Sequence, residues 1–130
     1  MATSGESIRI LFVDDDREFL EVLRDYFEGE GHQVITAPSA ESALGFLKIT
    51  KVDLIVSDMD MPRMNGVQLL QELQTLGSEV PFVFLSAQTA MTARRAAELG
   101  AAGYFEKPQR LDLMRSGLIK ISEALQTKSP

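Results

Sequence analysis

The sequence has no cysteine, no tryptophan and one histidine, His32. Without cysteine, disulfide scaffolds, thiolate zinc sites and cysteine nucleophiles are excluded. A single histidine disfavours histidine-cluster metal centres and histidine-based triads. Basic residues are also scarce. Lys plus Arg is 13 against 19 for Asp plus Glu, so the formal net charge is −6. Such a chain repels phosphate backbones, and direct nucleic-acid binding is not expected. Long apolar runs are missing too. None approaches the roughly 20 residues needed to span a bilayer. The start, Met1 to Ser7, is polar and lacks an apolar signal core. The expected location is the cytoplasm, without membrane contact.

What is present is an ordinary globular composition: 130 residues, 45% hydrophobic and 25% charged. That length fits one domain burying about two-thirds of its unfolded surface. Fibrous and wholly disordered readings are excluded. Short apolar runs rich in β-formers alternate with segments of helical periodicity. Ile8 to Val13 reads as a strand stopping at Asp14-Asp15-Asp16. Phe19, Leu20, Leu23 and Phe27 then mark a helix, with Asp16 as N-cap and Gly29 or Gly31 as its stop. Gln33 to Thr36 is a second strand, and Pro38-Ser39 opens a second helix. Leu54 to Ser57 is a third strand ending at Asp58. Met61 to Gly66 is loop chemistry, followed by a helix carrying Leu69, Leu70, Leu73 and Leu76. Phe82 to Leu85 is a fourth strand stopping at Ser86. Thr89 to Leu99 is an alanine-rich helix with a weak apolar stripe. Ala102 to Phe105 is a fifth strand before Lys107-Pro108, and Leu111 to Leu125 the last helix. The expected units are a tail 1–7, a domain 8–125 and a tail 126–130.

Strict alternation of strand and helix implies an α/β fold, a doubly wound five-stranded parallel sheet of order 2-1-3-4-5. Ligands in such sheets bind beyond the carboxyl ends of the strands, where the order reverses. Here that point lies between the first and third strands, which end at Asp14-Asp15 and Asp58. The fourth strand ends at Ser86 and the fifth reaches Lys107. Alone, each has an ordinary reading: acids at a helix start, a turn aspartate, a capping serine, a solvated lysine. Together they bring three carboxylates, a hydroxyl and an ammonium to one edge. Carboxylates held together raise one another's pKa, and a hard divalent cation relieves that repulsion. Oxygen-only ligands favour Mg²⁺, or Mn²⁺, over zinc. Lys107 and Ser86 then suit a phosphoryl group, and a carboxylate there can be its nucleophile.

Val13-Asp14-Asp15, the run Asp58-Met59-Asp60-Met61-Pro62-Arg63-Met64-Asn65-Gly66, Phe84-Leu85-Ser86-Ala87, Gly100 to Tyr104 and Lys107-Pro108 occur in that order. This pattern resembles the receiver domain of bacterial response regulators, over about residues 8–125, with its flavodoxin-like (βα)5 fold. The resemblance implies Asp58 as phosphoacceptor, Asp14, Asp15 and Asp58 around Mg²⁺ with Asp15 a direct ligand, and the Asp60 carbonyl as a further ligand. It implies Ser86 and Lys107 as partners of the phosphoryl group, Ser86 and Tyr104 as switch residues, and a cis bond before Pro108. The implied partner is a histidine kinase or histidine phosphotransfer protein. The implied output surface is the fourth helix, fifth strand and fifth helix, acting on an unknown downstream protein or output domain. The domain would catalyse only its own phosphorylation and dephosphorylation, with Asp60 and Gln88 placed to tune phosphoryl lifetime. A monomer is expected, with dimerisation on phosphorylation as an alternative. Three other readings compete: a small Mg²⁺-dependent phosphatase, a flavodoxin-like cofactor carrier, and an adaptor that no longer uses phosphate. The first has little chain left for a substrate cap. The acids at the end of the first strand argue against the second, because a bound phosphate needs open helix N-termini or glycine loops instead. The third leaves the complete set of acids, hydroxyl and lysine without a use.

Overall fold

A computed structural model describes residues 7–86, 93–107 and 111–126. Five strands alternate with five helices: β1 Arg9–Val13, α1 Arg17–Gly29, β2 Gln33–Ala37, α2 Ala40–Ile49, β3 Leu54–Asp58, α3 Gly66–Thr75, β4 Phe82–Ser86, α4 Ala93–Glu98, β5 Gly103–Glu106 and α5 Leu111–Gln126. All strand pairs are parallel and the order is β2-β1-β3-β4-β5. This is the doubly wound α/β sheet the alternation predicts. No helix among the described residues is long and apolar enough to cross a membrane.

The strands are apolar on both faces because helices cover both. Leu11, Val13, Ile55, Phe82 and Phe84 pack against α2, α3 and α4 through Ala40, Ala43, Leu69, Leu70, Leu73 and Ala96. Ile10, Phe12, Leu54, Val56, Val83 and Leu85 pack against α1 and α5 through Leu20, Leu23, Phe27, Met114 and Leu118. The Phe12 and Phe27 rings meet at 5.1 Å, joining β1 to α1. An aromatic pair of this kind adds about 0.5–1.5 kcal/mol beyond its buried area.

Local signals set the helix ends. The Asp16 carboxylate accepts the Phe19 N–H, and the Ser39 hydroxyl accepts the Ser42 N–H. Both satisfy donors that a first helical turn leaves unpaired. Beyond α1 and α3 the chain turns through Gly31 and Gly77 at positive φ, where a side chain would be strained. The Asn65 side chain accepts the Gln68 N–H while the Gln68 side chain accepts the Asn65 N–H, a capping box at the start of α3.

β2, β3, β4 and β5 each end one residue later than expected, at Ala37, Asp58, Ser86 and Glu106, while β1 ends at Val13 as expected. The Asp14, Met59 and Lys107 N–H groups donate to Ala37, Leu85 and Ser86 carbonyls, so the ladder continues past the last apolar side chain. Asp58 and Ser86 are therefore final strand residues rather than loop residues. β1 and β5 each begin one residue later than expected, at Arg9 and Gly103. The expected fourth helix began at Thr89; residues 89–92, with Gln88, lie outside the described residues, and α4 contributes one buried side chain, Ala96. Pro108 and its peptide bond also lie outside them, as do both expected tails apart from Ser7 and Gln126.

The loop after β3 folds back on that strand. The Gly66 N–H donates to the Met59 carbonyl at 3.0 Å. A Cβ on Gly66 would overlap the Asp58 carbonyl oxygen and crowd Met59 Cα. Because both obstacles are backbone, neither can swing aside. Gly66→Ala is expected to destabilise the fold by about 1–3 kcal/mol, the usual cost of overpacking. A lowered urea midpoint checks this; an unchanged midpoint contradicts the close approach.

Candidate functional site

The carboxyl ends of β1 and β3 deliver Asp14 and Asp58, only 1% and 5% exposed. Asp15 follows on the exposed side. One carboxylate oxygen from each of Asp14, Asp15 and Asp58 lies within 4.8 Å of the others. Lys107, just after β5, reaches into the same cleft. Its Nζ donates to Asp14 Oδ2 at 2.6 Å and stands 3.6 Å from Asp58 Oδ1. The other Asp14 oxygen accepts the Asp16 N–H at 2.9 Å. Asp14 is thus held at both oxygens. The Asp60 backbone favours the ionised form of Asp58.

Three carboxylates face one ammonium, an excess of two negative charges (three minus one). Burial pushes the Asp58 carboxyl up to about 6, and the Asp14 charge adds to this while Lys107 opposes it. Burial likewise raises Asp14, against its hydrogen bonds from Lys107 and Asp16. For Lys107, burial works against the charged form. The Asp14 hydrogen bond and the charges of Asp14 and Asp58 outweigh it, and its pKa is raised. The ammonium therefore persists through the physiological range.

The donor set fits a small hard dication. Oxygens around an octahedral Mg²⁺ at about 2.1 Å are roughly 3–4 Å apart, within the spread of these three. Asp14 is already engaged at both oxygens, which leaves Asp15 and Asp58 the better placed to ligate directly. The cleft is an acidic pocket able to hold a metal ion.

Other predicted residues are placed less completely. Ser86, buried at the end of β4, accepts the Lys107 N–H at its carbonyl, 2.8 Å away. Tyr104 sits in β5 opposite Phe84, partly buried against the α2–α4 side of the sheet. Asp60 is exposed and outside the carboxylate trio. Sequence reading missed three contributions. The resting Lys107–Asp14 pair joins residues 93 apart and carries no local signal. The close approach of Gly66 and the Asn65–Gln68 box went unread, although Asn followed three residues later by Gln is the available sign. Phe19 serves in the sequence only as one of the apolar residues marking α1, yet Lys107 Nζ lies 4.8 Å from its ring centroid.

A family model described as the response regulator receiver domain matches residues 10–118. The response regulator SaeR of Staphylococcus aureus (strain USA300) is 34% identical over 100 residues, covering 76% of this chain and 43% of SaeR. The chain spans less than half the length of the curated relatives it matches. FixJ-N superposes with a TM-score of 0.81 at 27% identity, covering 91% of this chain and 95% of that one. TrrA of Thermotoga maritima, solved in complex with Mg(2+)-BeF, gives 0.79 at 25%, covering 88% and 98%. The chain belongs to the response regulator receiver domain family. It is a signalling domain of the two-component class, whose members switch on phosphorylation.

The buried Asp58 carboxyl makes stability depend on pH. Its pKa rises from 3.8 to about 6 on folding. The folded state thus binds more protons between those values, and stability falls as pH rises through them. The penalty is absent below about pH 4 and complete above about pH 6. Without metal, Asp58→Asn is expected to be more stable than wild type at neutral pH by about 1–3 kcal/mol, at about 1.4 kcal/mol per unit. The advantage should shrink toward pH 4. Urea unfolding in EDTA at both pH values checks this; a pH-independent difference contradicts it.

Proposed function

We propose that this chain is a phosphorylation switch in which Asp58 accepts a phosphoryl group from a phosphohistidine on a histidine kinase or histidine phosphotransfer protein. The observation that carries the reading is the Lys107 ammonium, 2.6 Å from Asp14 and 3.6 Å from Asp58 within a buried acidic cleft. A lysine so placed neutralises part of the ground-state charge and stands ready for an anion arriving on Asp58. A pKa of about 6 leaves Asp58 ionised at neutral pH, as a nucleophile must be.

In the transfer, an Asp58 oxygen attacks phosphorus. The new O–P bond forms as the donor's N–P bond breaks, and the leaving imidazole takes up a proton. Asp14, Asp15 and Asp58, with the Asp60 carbonyl, would hold Mg²⁺ (Mn²⁺ an alternative). Bound there, the ion supplies charge neutralisation to the acids and the phosphoryl oxygens. Lys107 transfers part of its hydrogen bonding from Asp14 to a phosphoryl oxygen, and the Ser86 hydroxyl donates to another. Hydrolysis of the acyl phosphate by water later restores the carboxylate and releases phosphate.

Phosphorylation replaces the single charge of the Asp58 carboxylate by roughly −1.5 to −2 on the acyl phosphate, so the buried edge gains about −0.5 to −1. Ser86 and Lys107 are joined through the backbone between β4 and β5, so a pull on either is felt at Tyr104. We infer that this biases the face formed by α4, β5 and α5 between two packings, which a downstream protein or attached output domain reads. The working unit is taken as residues 8–125, in the cytoplasm, monomeric before phosphorylation.

Intact mass after incubation with acetyl phosphate and Mg²⁺ tests the reading. Wild type should gain one labile phosphoryl group, and neither Asp58→Asn nor wild type kept in EDTA should gain any. An adduct on Asp58→Asn would place the nucleophile elsewhere. No adduct on wild type would overturn the switch.

A further inference from the structure

Lys107 is the one cation in the acidic cleft among the described residues, and its flexible four-carbon stem does not by itself aim it. Asp14 takes one of its three N–H groups. Asp58, at 3.6 Å, is beyond hydrogen-bond reach. The Phe19 ring lies near the same ammonium, 4.8 Å from centroid to Nζ, inside the roughly 6 Å limit for cation–π attraction. The lysine side chain is only 13% exposed, so this attraction is weakly screened.

Phe19 is itself fixed. Its N–H donates to Asp16 Oδ1 at 3.1 Å, and its ring packs on the α1–α5 side of the sheet. The Asp16 N–H in turn donates to Asp14 Oδ1. The contacts close on themselves: Lys107 to Asp14, Asp14 to Asp16, Asp16 to Phe19, and the Phe19 ring back to Lys107. Asp16 therefore does more than cap α1, since it ties the ring and the carboxylate that flank the ammonium.

We propose that Phe19 is a positioning residue for phosphoryl transfer: its ring, held by the Asp16 cap, seats the Lys107 ammonium in the cleft between Asp14 and Asp58. The ring restricts the lysine's sideways movement and lets the ammonium shift from Asp14 toward an anion on Asp58. This inference rests on the reading of Asp58 as phosphoacceptor. An aliphatic side chain of similar bulk would fill the space but lacks the electron-rich face.

The test replaces Phe19 in the whole chain by Leu, Tyr and Trp, and by mono-, di- and trifluorophenylalanine. Fluorination drains the ring face while nearly conserving shape. Two readouts are taken: the rate of Asp58 phosphorylation by acetyl phosphate with Mg²⁺, and the ring-current shift of the Lys107 ε-protons without phosphate. Urea unfolding confirms that each variant folds. Phe19→Leu should lose the ring-current shift and slow phosphorylation by about three- to tenfold, the size of a partly desolvated cation–π contact. Tyr and Trp should stay within about twofold of wild type. The fluorinated series should slow stepwise with unfolding midpoints unchanged. Rates independent of fluorination, or a wild type without the ring-current shift, would overturn the inference while leaving Asp58 as acceptor. A wild type that shows the shift but takes no phosphoryl group would overturn the role in transfer together with the Asp58 reading.

Discussion

The structure is organised around an electrostatic imbalance. Asp14 and Asp58 are nearly excluded from water at the ends of adjacent strands, and Asp15 stands beside them. One ammonium answers three carboxylates. A fold maximising its own stability would not gather these charges, because buried carboxylates are costly unless fully paired. Here burial outweighs the pairing available, and it raises the pKa of both Asp14 and Asp58. What would complete it is a small dication, or a proton at low pH. The resting site is thus held in a state that binding improves.

Maintaining that imbalance requires a rigid frame. The parallel sheet provides it by carrying the backbone ladder past its last apolar side chains, so that Asp58 and Ser86 are strand residues with fixed direction. Below them lie two apolar layers, one on each face of the sheet. Above Asp58, the loop folds so closely that only glycine fits at position 66, and the Asn65–Gln68 box fixes where α3 begins. At the front, Asp14 accepts the Asp16 N–H, so α1's first turn and the acidic cleft share one set of hydrogen bonds. Rigidity at the carboxylates contrasts with α4, which contributes one buried side chain among the described residues.

Much of this was legible in the sequence because the fold writes it locally. Apolar runs that stop at an acid, a serine or a lysine mark strand ends, and alternation with helical stripes sets the topology. The N-caps Asp16 and Ser39 and the turn residues Gly31 and Gly77 sit where their chemistry predicts. Strand ends slipped by one residue because side-chain hydrophobicity stops before backbone pairing does. What could not be read is long-range pairing. Nothing near Lys107 says that its resting partner is Asp14 rather than a bound anion. Nothing near Phe19 says that its ring faces a cation, since the same spacing marks an ordinary core position.

The Lys107–Asp14 pair has a further consequence for how a switch of this kind can work. At 2.6 Å it is a strong, charge-assisted hydrogen bond, shielded from water. In the proposed switch, a phosphoryl group on Asp58 competes with Asp14 for the ammonium, so part of the new attraction is spent on an existing one. The net gain on phosphorylation is therefore smaller than the phosphoryl charge alone suggests, and the two arrangements of Lys107 lie closer in free energy. That closeness suits reversible switching, because a ligand shifts an equilibrium only by its differential affinity for the two states. Lys107 is also joined by its N–H to the Ser86 carbonyl, at the β4–β5 edge where Tyr104 sits. The same lysine that balances the resting carboxylates thus borders the surface proposed to change.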